Sequence, residues 1–148
     1  DMLEQAQPKG ETQLATVLHE IAETIRQRAL VIILSDLFIE PDLLASCFQH
    51  LRFRHHDVAV FHLLDPLELD FQFRRPMRFV DMEGGPSIFA EPNDIADRYT
   101  KALNLYLDQM KKVVLESAVD YHRVTIDENY EQVLVRVLVG RAQGKGLR

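Results

Sequence analysis

The run Leu30-Val31-Ile32-Ile33-Leu34-Ser35-Asp36 decides the reading of this chain. Five apolar residues in succession, three of them β-branched, predict a strand covered on both faces rather than a half-wet, alternating one. The polar pair Ser35-Asp36 ends it. Just upstream, Leu14, Val17, Leu18, Ile21, Ala22 and Ile25 recur at three- and four-residue spacing, which predicts a helix with one buried stripe. Arg26 and Arg28 fall in its expected last turn, where cations suit the helix dipole. Just downstream, Glu40-Pro41 opens a second helix with proline at its first position. Leu43, Leu44, Cys47, Phe48 and Leu51 form that helix's apolar stripe.

Further along, Val58 to Leu64 predicts a second strand, stopped by Asp65-Pro66. Met77 to Val80 and Ser87 to Ala90 read as short strands around Glu83-Gly84-Gly85-Pro86, a β-hairpin that Phe71 and Phe73 pin to the body. A long helix runs from about Pro92 to Ala118, with Ile95, Tyr99, Leu103, Tyr106, Met110, Val113 and Val114 on its core face. Tyr121 to Ile126 is a third strand. A last helix over 130–139 packs Val133, Leu134, Val137 and Leu138, Gly140 stops it, and 141–148 is a loose tail. Such alternation specifies an α/β fold: a partial Rossmann-like parallel sheet of about three strands, with flanking helices and a β-hairpin insertion.

The first strand has the composition of a central strand, yet nothing upstream in the chain can pair with its other side. The expectation is that 1–148 is the C-terminal portion of a single domain. An open apolar edge is seldom left bare, so the chain is also expected to form a homo-oligomer through Leu30 to Leu34.

Composition narrows the classes. The length of 148 residues suits one domain, and 47% hydrophobic with 27% charged residues is ordinary for a globular protein. No apolar run approaches the roughly 20 residues of a membrane-spanning helix. The single Cys47 excludes an internal disulfide framework and fits a reducing compartment, so the chain reads as cytoplasmic, with room for a membrane anchor upstream of Asp1. A net charge of -6 argues against a nucleic-acid partner. Two basic patches, Arg52, Arg54, His55 and His56, then Arg74, Arg75 and Arg78, read as solvated loop edges.

In open α/β sheets, ligands sit beyond the carboxyl ends of the strands. Asp36 and Asp65 end the first two strands and should face that crevice. A carboxylate there suits a hard cation such as Mg²⁺, but Asp is equally common as the cap of a turn or helix. The histidines, among them His55-His56 and His62, lack zinc-like spacing with an intervening carboxylate. Cys47, on an apolar stripe, reads as a small core hydrophobe. Gly84-Gly85 lacks the setting of a phosphate loop.

The stretch Gly10-Glu11-Thr12-Gln13-Leu14, a helix, and then Val31-Ile32-Ile33-Leu34-Ser35-Asp36 resembles the later half of a von Willebrand factor A domain. More closely, Leu34-Ser35-Asp36-Leu37-Phe38, the run Phe61-His62-Leu63-Leu64-Asp65-Pro66-Leu67-Glu68-Leu69 and the Glu91-Pro92 helix start resemble the family called domain of unknown function 58. The resemblance spans about Gly10 to Val139 and rests on short motifs in a shared order. It implies a von Willebrand factor A-like module of a bacterial-type protein, associated with a MoxR-type AAA+ ATPase. It also implies a metal-ion-dependent adhesion site in which Thr12 and Asp36 are ligands. The Asp-x-Ser-x-Ser run of that site is absent here, and Leu37 stands where a Gly often follows the late Asp. The expected function is therefore partner binding that is Mg²⁺-assisted in the intact protein, through a site this chain holds incompletely. The competing expectation is a Mg²⁺-dependent hydrolase or phosphatase-like enzyme using Asp36 and Asp65.

Overall fold

Helical and extended periods alternate along the chain, and the elements follow them. The computed structural model describes residues 13–71, 73, 75–80 and 87–142. In order they form α1 (Leu14–Thr24), β1 (Leu30–Ser35), α2 (Pro41–Phe53), β2 (Asp57–Leu64) and α3 (Pro66–Asp70). Next come β3 (Met77–Phe79), β4 (Ile88–Ala90), α4 (Pro92–Ser117), β5 (Asp120–Thr125) and α5 (Tyr130–Ala142). The strands β1, β2 and β5 make a parallel sheet in the order β1-β2-β5, with Ile32 level with Ala59 and Val60 level with Tyr121. The expected α/β architecture is thus present, and the hairpin β3-β4 stands apart as an antiparallel pair with Arg78 opposite Phe89.

One placement differs from the expectation. β2 is the central strand, buried on both faces, whereas β1 lies at the edge of the described sheet. Val31 and Ile33 are buried while Leu30, Ile32 and Leu34 alternate with them as exposed residues. An unbroken apolar run cannot say which of its faces will find a cover; only the placement of helices does that.

The helices α1, α2 and α4 cover one face. Leu18, Ala22, Leu44, Phe48, Leu51, Met110 and Val114 pack there with Val31, Ile33, Val58 and Val60. Phe48, Leu44 and Leu51 are fully buried, and burial of each such side chain stabilises the fold by about 1.5–3 kcal/mol. On the other face, Val133 and Val137 of α5 pack on Phe61 and Val124. The aromatic pin also forms: Phe71 stacks on Tyr99 at 4.4 Å between centroids and meets Phe73 edge-on at 5.1 Å, and Phe73 meets Phe79 of β3 at 5.6 Å.

Several boundaries differ. α1 ends at Thr24 with Ile25 as its cap, so Arg26 and Arg28 lie in the following loop; Arg28 reaches the start of β2 to pair with Asp57 at 2.9 Å. Leu43, Leu134 and Leu138 are exposed rather than packed. Gly140 lies inside α5 instead of stopping it, a position that costs about 1 kcal/mol relative to Ala without breaking the helix. The short helix α3 was not anticipated: Asp65 accepts from Leu67 N while Glu68 reaches back to the Asp65 N–H, a capping box that follows from the Asp-Pro-Leu-Glu sequence itself. The Gly84-Gly85 turn, Arg74 and residues 143–148 lie outside the described residues. Among the described residues no helix is long and apolar enough to cross a membrane.

Candidate functional site

Parallel strands bring their carboxyl ends to one side of the sheet, so Ser35-Asp36, Leu64-Asp65 and Thr125 share one end of it. Each strand exit there is tied by a polar side chain. At β1, Asp36 Oδ1 accepts from the Phe38 N–H at 3.2 Å and from Ser35 Oγ at 3.4 Å, while Ser35 Oγ accepts from the Leu37 N–H at 3.0 Å. At β2, Asp65 Oδ1 accepts from the Leu67 N–H at 2.8 Å. At β5, Glu128 Oε1 accepts from the Thr125 N–H at 3.0 Å, and Asn129 Oδ1 caps α5 through the Glu131 and Gln132 N–H groups at 2.9 and 3.1 Å. The Thr125 N–H, with Arg136 beside it, holds the Glu128 carboxyl below its ordinary range. Asp36 and Asp65, the two carboxylates singled out from the sequence, are therefore both turn or helix caps.

The loop after β1 is the unusual part. Leu37 adopts a left-handed backbone, φ 54°, and is fully buried. A β-carbon in this region is sterically penalised, so the buried isobutyl group offsets the strain. Tyr106 of α4 donates its hydroxyl to the Leu37 carbonyl. Burial pushes that hydroxyl's pKa up, and the Asp36 and Glu40 carboxylates push the same way. The next residue, Phe38, is 91% exposed. An anchored turn thus presents a bare aromatic ring beside an exposed carboxylate whose Oδ2 has no hydrogen-bond partner among the described residues.

Beneath this rim lies His62, level with Ser35 on one side and Arg123 on the other. It is fully buried, its Nδ1 meets the Tyr121 hydroxyl at 2.7 Å, and its Nε2 has no partner among the described residues. Burial pushes the imidazole's pKa down; Asp36 pulls it up and Arg123 lowers it further. Burial thus favours the neutral form of the ring at this end of the sheet. Among the described residues the nearby hydroxyl of Ser35 is hydrogen-bonded to Asp36 and Leu37 rather than to this ring.

A second cluster joins α1 to α2 and was invisible in the sequence, because 27 to 31 residues separate its interhelical contacts. His50 Nε2 meets Glu23 at 2.8 Å, His50 Nδ1 meets His19 Nδ1 at 2.8 Å, and His19 Nε2 faces the Cys47 thiol at 3.6 Å. One tautomer set satisfies the whole chain: the thiol donates to His19, His19 to His50, and His50 to the carboxylate. Burial pushes the Cys47 thiol up, which keeps it protonated and suits a donor better than a nucleophile. The thiol and His50 touch opposite nitrogens of the His19 ring, so the donors do not converge on one point.

Among the described residues no group of three or more His, Cys, Asp and Glu side chains is arranged to hold a metal ion. Asp36 Oδ2, without a partner among the described residues, is a hard oxygen suited to Mg²⁺, but one described carboxylate does not make a cation site. Thr12, the other ligand implied by resemblance, lies outside the described residues. Of the basic residues, Arg52 sits 3.8 Å from Asp57 and Arg54 3.9 Å from Glu23, while His56 is fully buried and accepts from the Ala29 N–H.

No curated protein and no solved structure matches the chain. The family model described as Protein of unknown function DUF58 matches residues 1–104. That span holds β1, β2, the hairpin and the first half of α4, and with them Asp36, Leu37, Phe38 and Asp65, so the chain belongs to the DUF58 family.

Proposed function

We propose that this chain is a protein-interaction module whose docking element is the anchored turn after β1. The observation that carries this reading is Phe38, almost wholly exposed on a turn held by the Asp36 and Ser35 caps, the buried Leu37 and the Tyr106 hydroxyl. A rigid, exposed aromatic beside a charge is the kind of residue that dominates interfaces, since little freedom is lost on binding. In this reading the chain is the C-terminal portion of a von Willebrand factor A-like domain. Thr12 and Asp36 contribute to a Mg²⁺ site completed by residues from outside this chain, and the partner is a MoxR-type AAA+ ATPase. No observation favours the hydrolase reading over this one, because Asp36 and Asp65 each cap a backbone N–H.

The test is calorimetric titration of a MoxR-type ATPase from the same source into the intact protein, with and without Mg²⁺. Phe38→Ala is expected to weaken binding by a factor of about 10 or more. Wild-type affinity in Phe38→Ala removes the docking element; absence of binding with Mg²⁺ present removes the partner. For this chain alone, Mg²⁺ binding is expected to be weak. Tight, stoichiometric binding abolished by Asp36→Ala contradicts an incomplete site.

A further inference from the structure

The two histidines between α1 and α2 meet nitrogen to nitrogen. His19 Nδ1 and His50 Nδ1 are 2.8 Å apart, with ring centroids at 5.1 Å. A contact of this kind is a hydrogen bond only while it holds a single hydrogen, because two bare nitrogens repel and two N–H groups collide. Glu23 fixes one end of the chain: its carboxylate lies 2.8 Å from His50 Nε2, which therefore carries an N–H. At the other end the buried Cys47 thiol has two acceptors in reach, His19 Nε2 at 3.6 Å and the Ala15 carbonyl at 3.8 Å. With both rings neutral, the hydrogens run from the thiol to His19, from His19 to His50 and from His50 to Glu23.

We propose that the His19–His50 bridge is an acid-released latch between α1 and α2, which holds one added proton with every hydrogen bond kept and is broken by a second. The first proton changes only the thiol end. His19 Nε2 becomes an N–H that donates to Sγ, and the thiol turns to the Ala15 carbonyl. The Nδ1 bridge keeps its single hydrogen, and the positive charge lies nearest Glu23 when His50 carries it. A second proton puts a hydrogen on both Nδ1 atoms and two like charges on touching rings, so the bridge opens. The groups facing it are Glu23 from α1 and Cys47 and Arg54 from α2, with Arg54 3.9 Å from Glu23. From β1, β2 and α4 the helix pair meets apolar side chains, among them Val31, Ile33, Val58, Val60, Met110 and Val113. The closed bridge takes one added proton and two separated imidazoles take two. Opening is therefore favoured as pH falls through the ordinary histidine range, near about 6.5. Its consequence is local: α1 loosens where Ala15 and His19 cover the Cys47 thiol, while the Arg54 Nε–H still donates to the Ala22 carbonyl at 3.0 Å.

The experiment follows the imidazole nitrogens of the unmodified chain by ¹⁵N NMR from about pH 8 to 5. It is paired with labelling of Cys47 by 4,4′-dithiodipyridine, its rate taken relative to free cysteine at each pH. The expected result is a coupled, two-step titration of His19 and His50. In the first step His19 Nε2 changes from a bare acceptor to an N–H while Cys47 stays protected. In the second both rings become fully protonated, and relative labelling rises by about tenfold or more, the scale of one lost hydrogen bond to a charged group. His50→Gln is expected to remove most of that rise and to leave His19 a single-step titration. Independent titration of the two rings in the unmodified chain overturns the proposal. So does a Cys47 that stays equally protected once both rings are charged, or an acid-dependent rise that His50→Gln leaves unchanged. The NMR readout needs no variant and stands even if His50→Gln fails to fold. The latch does not depend on the ATPase reading, and each can fail alone.

Discussion

Leu37 offers the sharpest test of the anchored turn. Its side chain is fully buried and its φ is 54°. Leu37→Ala removes the buried isobutyl branch and leaves a cavity, which costs about 2–5 kcal/mol by analogy with other core truncations. The β-carbon and its left-handed strain remain. Leu37→Gly loses one more methyl, about 0.8 kcal/mol, and frees the unfolded chain, roughly 0.4–1 kcal/mol. Against this it relieves about 1–2 kcal/mol of left-handed strain. These terms nearly cancel, so the two variants should be equally stable to within about 0.5 kcal/mol. Ala22 supplies the control, because it is also fully buried but helical. There Ala22→Gly has no strain to relieve and should cost about 1–2 kcal/mol. Urea unfolding followed by circular dichroism reads the differences; with m near 2 kcal/mol/M, a loss of about 3 kcal/mol lowers the midpoint by about 1.5 M. If Leu37→Gly is less stable than Leu37→Ala by as much as Ala22→Gly is below wild type, the strain argument fails. The anchored-turn reading then loses its physical basis.

Three more outcomes follow from the same geometry. Tyr106→Phe removes the hydroxyl that holds the Leu37 carbonyl and should cost about 1 kcal/mol in urea unfolding, with faster hydrogen exchange at Phe38 and Ile39. Asp65→Ala removes the cap of α3 and should cost about 1 kcal/mol, whereas Asp65→Asn, which retains an acceptor, should cost less. The third concerns pH. His62 and His122 are both held below the ordinary histidine range, mainly by burial, so the unfolded chain binds protons that the folded chain refuses. Their contribution to stability is present above about pH 6.5 and is lost as pH falls toward their folded pKa values. Urea midpoints measured from pH 8 down to 5 should decline on the acid side, and His62→Gln should flatten that decline. A midpoint that rises on acidification contradicts the assignment of a neutral buried ring.

Much of this molecule can be read from residue order. The stripes of α2 and α4, the apolar run of β2, the hairpin positions and the Phe71–Phe73 pin are local or periodic features. A helix buries every third or fourth residue and a strand every residue or every second one, and the chain displays those periods. Asp36 and Asp65 were also legible as strand-end residues, together with their capping role. What stayed hidden depends on which surfaces meet. The apolar run Leu30 to Leu34 has the same composition whether one face is covered or two, and only the absence of a described element beyond β1 and over Leu30, Ile32 and Leu34 makes it an edge. His19, Glu23, Cys47 and His50 belong to separate helices, so their hydrogen-bond chain exists only once α1 lies along α2. The left-handed backbone of Leu37 has no signature in a leucine. Packing around its side chain selects that conformation, and with it the exposure of Phe38. Local periodicity was thus enough for the elements and the order in which they alternate. The edge strand, the interhelical histidine chain and the anchored turn were decided by tertiary contacts, because each depends on surfaces that are far apart along the chain.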